Sequence, residues 1–231
     1  MYKLLKGDCL ELMKDIPDKS IDLVVTDPPY KFENQGGGFY ARNKSTQRVY
    51  LDSLKNINCC EFNPYEFLNI LKPKMKKFYG YFFCNKTLIE DYIKFARDNK
   101  YNFDVLVMAK SNPRPSYNNH HLSDLEYIIL IREKGTYFSK HKDIDDYRKY
   151  YLTSCKKGVH PAEKPIELLE RFVKVSSKEN DTILDCFMGS GSCGVAAINT
   201  GRSFIGIELD EKYFNIAKER IDNALNKECV F

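Results

Sequence analysis

Seven short apolar runs are spaced along this chain, and stretches with apolar residues at helical intervals fill most of the gaps between them. The runs are Tyr2 to Lys6, Ile21 to Thr26, Phe78 to Cys84, Phe103 to Met108, Tyr127 to Ile131, Thr182 to Asp185 and Ser203 to Ile207. Helices are expected over Leu10 to Lys14, Pro64 to Leu71, Thr87 to Asn99, Pro165 to Ser176, Cys193 to Thr200 and Glu211 to Leu225. Such alternation predicts an α/β fold with a doubly wound, seven-stranded, mostly parallel sheet covered by helices on both faces. The chain has 231 residues, 43% of them hydrophobic, enough for one substantial core and a single domain over 1–231. It shows no internal repeat. No apolar run is long enough to span a membrane, and Met1-Tyr2-Lys3 lacks the apolar region of a signal peptide, so no membrane partner and a cytoplasmic location are expected.

Ligands of such sheets sit beyond the carboxyl ends of the strands. Two of those ends carry unusual chemistry. The stretch Ile21 to Val25, apolar apart from Asp22, runs into Asp27-Pro28-Pro29-Tyr30. Proline fixes its own φ and has no N–H, so the pair holds the chain extended and leaves the preceding carbonyls free to accept hydrogen bonds. A flat base with an amino group suits this site: Asp27 accepts one amino hydrogen, the Pro28 carbonyl the other, and the Tyr30 ring stacks on the base. A capped strand end followed by a turn would use the same four residues. The second end is Thr182-Ile183-Leu184-Asp185, which leads through Cys186-Phe187-Met188-Gly189-Ser190-Gly191-Ser192 into a helix. Glycines there let the backbone approach a ligand, and the helix start favours polar or anionic groups. The next strand ends in Glu208, an acid placed to bind ribose hydroxyls. Gly189, Gly191 and Gly194 keep dinucleotide-binding spacing, but Phe187 ahead of them is atypical of dehydrogenases, so phosphate binding is not the preferred reading. Asp27 and Asp185 are expected to share one pocket.

At these residues the chain resembles the amino-group DNA methyltransferases that use S-adenosylmethionine. Asp27-Pro28-Pro29-Tyr30 looks like their catalytic motif and Phe187-x-Gly189-x-Gly191 like their cofactor motif. Between the two, His160-Pro161-Ala162-Glu163-Lys164-Pro165 is similar to the H-P-x-x-K-P segment of one subgroup. That order identifies the β arrangement, a Rossmann-like methyltransferase fold circularly permuted so that the catalytic half precedes the cofactor half. The resemblance also takes in Gly7-Asp8-Cys9 and Ile205-Gly206-Ile207-Glu208. It implies a catalytic half over 1–132, a short target-recognition insert over 133–159 and a cofactor half over 160–231; the glycines set beside cations in 31–60 point to a mobile DNA-facing loop there. The implied cofactor is S-adenosylmethionine. Glu208 is assigned to the ribose, Asp8 with Cys9 to the adenine end, and Phe187 to Ser192 with Lys164 to the methionine end, beside Asp27 and Asp185. The pattern is departed from at Cys186, where proline is usual, at Ser192-Cys193 in place of two threonines, and at Ala162-Glu163 in place of Thr-Gln.

The implied reaction places a methyl group on an exocyclic nitrogen of a flipped-out base in double-stranded DNA, with adenine N6 favoured. Cytosine N4, also an exocyclic amino group, is the alternative, ranked second because enzymes acting on it more often carry Ser at the position of Asp27. RNA or protein-glutamine methylation is disfavoured by the permuted order, and a catalytically silent DNA-binding module by intact Asp27, Tyr30 and Glu208. Family members often dimerise, and many work beside a cognate restriction endonuclease. A second copy and such a nuclease are therefore candidate partners.

Net charge is only +4, so phosphate contact has to come from local clusters. In 31–60, Lys31, Arg42, Lys44, Arg48 and Lys55 face only Glu33 and Asp52, around Gly36-Gly37-Gly38. Between Arg132 and Lys164 stand nine cations against five acids, interleaved with Tyr147, Tyr150 and Tyr151. Lys44 and Arg48 are expected to clamp the backbone, and Arg148, Tyr150 and Tyr151 to read bases. Arg114, in Asn112-Pro113-Arg114-Pro115, is a further candidate for a phosphate. His120 and His121 have no partner at ligand spacing and the transfer needs no metal, so no metal is expected. The eight cysteines form no C-x-x-C pair and read as thiols in a reducing compartment.

Overall fold

The structure is a computed structural model that describes residues 1–29, 62–113, 121–122, 124–140, 147–154 and 163–228. Its strands are β1 (Tyr2–Lys6), β2 (Leu23–Thr26), β3 (Tyr79–Cys84), β4 (Asn102–Lys110), β5 (Leu125–Arg132), β6 (Tyr150–Thr153), β7 (Thr182–Asp185) and β8 (Ser203–Glu208). They form one sheet in the order β1-β8-β7-β2-β3-β5-β4-β6. Only β5 runs antiparallel to its neighbours. All seven expected runs are strands, with ends shifted by a residue or two. The eighth strand, β6, lies inside the expected recognition insert and pairs with the open edge of β4. Four residues are too few to display a period, so only its pairing partner reveals it.

The central strands show why their sequences are almost uninterruptedly apolar: all four residues of β2 and all six of β3 are buried. Successive side chains of β3 enter different layers. Tyr81 stacks on Phe172 with ring centroids 4.1 Å apart, whereas Phe82 meets Tyr92 at 5.4 Å and Phe67 at 6.4 Å. Phe172 belongs to α4 (Ile166–Ser176), which packs with α5 (Ser192–Asn199), and α5 with α6 (Glu211–Glu228), in one layer. Phe67 and Tyr92 belong to α2 (Pro64–Leu71) and α3 (Ile89–Asp98) in the other, to which the short α1 (Cys9–Leu12) adds a turn. Burying each such ring contributes about 2 to 3 kcal/mol before its ordering cost. No helix among the described residues is long and apolar enough to cross a membrane.

Local signals set the boundaries. Asn63 caps α2 by accepting from the N–H groups of Tyr65 and Glu66, with Pro64 at the first helical position. β2 starts at Leu23 rather than Ile21 because the Asp22 carboxylate takes the Thr182 N–H at 2.9 Å and pairs with Lys76 at 2.8 Å. From β2 the chain continues to β3 on one side, and from β7 to β8 on the other. The carboxyl ends of β2 and β7 therefore flank the crevice where such sheets bind ligands.

Candidate active site

Buried β2 delivers Asp27 to the crevice, and Pro28-Pro29 then carries no N–H that could extend the ladder. The ammonium of Lys164, itself only 7% exposed, donates to Asp27 Oδ2. Asp27 Oδ1 is buried and accepts a hydrogen bond from no described residue. Burial pushes the Asp27 carboxyl above the usual carboxylate range, with Lys164 opposing the shift. Lys164 Nζ also lies 3.4 Å from Glu126 Oε2 and 5.1 Å from the centre of the Phe83 ring. Glu126 Oε1 in turn meets Lys110 Nζ at 2.5 Å. Burial raises the Glu126 carboxyl, but Lys164 and Lys110 outweigh it and leave it below its ordinary value.

On the other side of the crevice, Asp185 Oδ1 accepts from the Thr26 hydroxyl at 2.7 Å and from the Phe187 N–H at 3.1 Å. Thr26 thus ties the end of β2 to the end of β7. Burial pushes the Asp185 carboxyl up to about 7 against these two donors. Glu208 accepts from the Gly189 N–H at 2.7 Å and the Asp210 N–H at 2.8 Å, and burial raises its carboxyl too. Gly189 and Gly191 sit at φ +53° and +84°, conformations that L side chains rarely adopt. A Cβ on Gly191 would lie 2.8 Å from that of Ala217 in α6, whereas one on Gly189 would have open space around it. The loop is clasped from outside by Arg220 of α6, which donates to Ser190 O and Oγ, both at 2.8 Å, and to Glu163 Oε1 at 2.5 Å. Ser192 Oγ donates to the same Glu163 oxygen at 3.3 Å.

A family described as DNA methylase, of the N6/N4 type, matches residues 21–219. The chain belongs to this N6/N4 DNA methylase family. It is 30% identical to the Type II methyltransferase M2.LlaDCHI of Lactococcus lactis subsp. cremoris, over 96% of this chain and 89% of that one. To the Type II methyltransferase M.HinfI of Haemophilus influenzae it is also 30% identical, over 94% of this chain and 67% of that one. Among solved structures, the crystal structure of the M1.HpyAVI-SAM complex superposes with a TM-score of 0.74 at 26% identity, covering 96% of this chain and all of that one.

In this DNA methylase the strand ends that carry Asp27 and Asp185 lie side by side, tied by the hydrogen bond from Thr26, the residue before Asp27, to Asp185. Glu208 and the glycine turn stand beside Asp185. The Lys164 ammonium, expected at the methionine end of the cofactor, contacts Asp27 and lies 3.4 Å from Glu126. Asp8 caps α1, accepting from Leu10 N at 2.8 Å and Glu11 N at 3.3 Å, and Gly7 N donates to Glu208 O at 3.0 Å. Burial pushes the thiol of neighbouring Cys9 up to about 12, so it stays protonated. Arg148, Tyr150 and Tyr151 lie at β6, separated from β2 by three strands. The Arg148 guanidinium donates to the Tyr150 hydroxyl at 2.6 Å, and the Tyr151 hydroxyl to Glu167 at 2.9 Å. Tyr30, Lys44, Arg48 and Arg114 lie outside the described residues. Thr26, Lys110, Glu126 and Arg220 were not singled out from sequence. No motif marks them, and each meets its partner only across the fold.

Proposed function

We propose that the protein is a site-specific DNA methyltransferase that moves a methyl group from S-adenosylmethionine to the N6 amino group of adenine. The observation that carries this reading is Asp27 Oδ1, a buried acceptor with no donor among the described residues, at a strand end whose following prolines supply none. An incoming amino group provides the missing N–H. The cofactor fits the other half of the crevice on this structure's own evidence: open space over Gly189 and the acids Asp185 and Glu208 beside the turn. When bound there, S-adenosylmethionine supplies a methyl group that its sulfonium makes electrophilic. Phe187 to Ser192 would hold the methionine end and Glu208 the ribose, with Asp8 toward the adenine.

The chain's own task is to prepare the nitrogen. An exocyclic amino lone pair is delocalised into the ring, which makes it a poor nucleophile. Accepting its two hydrogens at Asp27 and the Pro28 carbonyl pulls the nitrogen toward a tetrahedral, nucleophilic form and aligns it for in-line attack. Asp27 then stabilises the positive charge that develops on the nitrogen as the methyl–sulfur bond breaks, and the methylated nitrogen becomes neutral by releasing one amino proton to solvent. Inside a duplex the amino group is out of reach, so the base has to be extruded, with Tyr30 replacing its lost stacking. DNA as substrate implies a cytoplasmic enzyme, and kinship to Type II methyltransferases suggests a cognate endonuclease. Sequencing modified bases in DNA from a methylation-deficient host that expresses the chain tests the reading. N6-methyladenine in one sequence context is expected. N4-methylcytosine would transfer the same mechanism to the other base, and unmodified DNA would overturn it.

A further inference from the structure

Glu126 adjoins the machinery just described without a part in it. Because β5 runs against its neighbours, it begins where they end, and its second residue, Glu126, reaches the ligand-facing edge beside Lys110, the last residue of β4. Lys110, Glu126, Lys164 and Asp27 thus form a row of alternating charges. Both carboxylates in the row keep one buried oxygen that accepts no hydrogen bond from a described residue, Asp27 Oδ1 and Glu126 Oε2. Lys164 stands between them, in contact with Asp27 and 3.4 Å from Glu126 Oε2.

This arrangement meets a conflict during transfer. The attacking nitrogen becomes positive while bound to Asp27, next to an ammonium already on the same carboxylate. Two like charges held this close on one carboxylate, away from bulk water, repel strongly. The cation therefore has to retreat, and Glu126, whose Oε2 lies 3.4 Å from it, is a carboxylate placed to receive it. We propose that Glu126 is a positioning residue that draws Lys164 from Asp27 as the target amino group engages, with Lys110 holding Glu126 in place. The pair of lysines keeps Glu126 ionised, so the attraction is present throughout the neutral pH range. The inference rests on the proposed transfer to an amino group.

Glu126→Gln tests it, because it keeps the volume and an oxygen for Lys110 while removing the charge that attracts Lys164. On plasmid DNA from a methylation-deficient host, kcat for tritiated methyl incorporation should fall about 30-fold, while S-adenosylmethionine affinity by calorimetry stays within about 3-fold. Glu126→Asp, which keeps the charge, should recover part of the rate. Added to Lys164→Met, Glu126→Gln should cost no more than about 2-fold, since there is no longer a lysine to move. Wild-type kcat in Glu126→Gln would overturn the proposal. So would independent, multiplying losses in the double variant, or a loss of cofactor affinity parallel to the loss of rate. A wild-type chain that binds cofactor but methylates no base would instead defeat the functional reading itself.

Discussion

Asp27 and Glu208 both terminate strands, yet their variants should fail in different ways. Asp27→Ala is expected to abolish methyl transfer and leave S-adenosylmethionine affinity within a few-fold, because its Oδ1, which accepts from no described residue, is the oxygen proposed to take the target amino hydrogen. Glu208→Ala should weaken cofactor binding by about 1.5 to 3 kcal/mol, the range for lost hydrogen bonds to a charged group. Calorimetry on both variants checks the division, and unchanged affinity in the Glu208 variant would remove that residue from the site. Asp185 predicts a pH effect whose sign follows from its raised carboxyl. An unfolded aspartate releases its proton near pH 3.9. In the fold Asp185 keeps it to about 7. Between those values the native state binds the extra proton, so the contribution of this group to stability falls as pH rises from about 4 to 7 and is level beyond. Asp27 and Glu208, raised as well, act in the same sense. Asp185→Asn keeps an oxygen for Thr26 and Phe187 but carries no charge. It should therefore raise the Tm of the ligand-free protein at pH 8 and change it little at pH 4, and an equal gain at both would contradict the assignment. These acids were legible in the sequence because each ends an apolar run. Lys110, Glu126 and Arg220 were not, because Lys110 meets Glu126 only where β4 pairs with β5, and Arg220 meets Glu163 at a separation of 57 positions.

Among the elements, the glycine turn separates two kinds of damage. Gly191→Ala combines an unfavourable φ with a Cβ forced against α6 at Ala217, so it should destabilise the fold by about 1 to 3 kcal/mol and impair cofactor binding with it. Gly189→Ala has the same backbone problem without the clash. Its stability loss should be the smaller, about 1 kcal/mol, while its methyl group takes up cofactor space and S-adenosylmethionine affinity falls steeply. Thermal melts paired with calorimetry distinguish them, and a larger stability loss at Gly189 would reverse the argument. The departure at Glu163 also acquires a partner here: its carboxylate receives Arg220 and so fastens the turn to α6. The expected strands were recovered because buried strands need continuous apolar runs. β6 escaped notice since Tyr150 and Tyr151, set among cations, read as nucleic-acid contacts; both belong to an edge strand, and the Tyr151 hydroxyl donates to Glu167.

For the whole molecule, recognition of DNA is expected to be divided between two regions. Replacing Lys44 and Arg48 by Ala should weaken binding to all sequences alike and flatten its salt dependence by about one unit of slope per lost phosphate contact. Replacing Arg148 or Tyr150, the latter 47% exposed, should instead relax the preference between cognate and altered sites. Titrations at several salt concentrations read both effects, and the opposite pattern would exchange the two roles. The permuted order of halves was legible in the sequence of motifs, but it has a temporal side. β1 pairs with β8, Tyr2 beside Phe204, so the earliest-translated of these eight strands has no neighbour among the described residues until nearly the whole sheet has been translated. At about 5 to 20 residues per second this wait lasts on the order of ten seconds or more, while the catalytic strands can already associate. A nascent chain stalled before β8 would therefore carry Asp27 at the end of a formed strand, with no completed pocket from which to draw a methyl group.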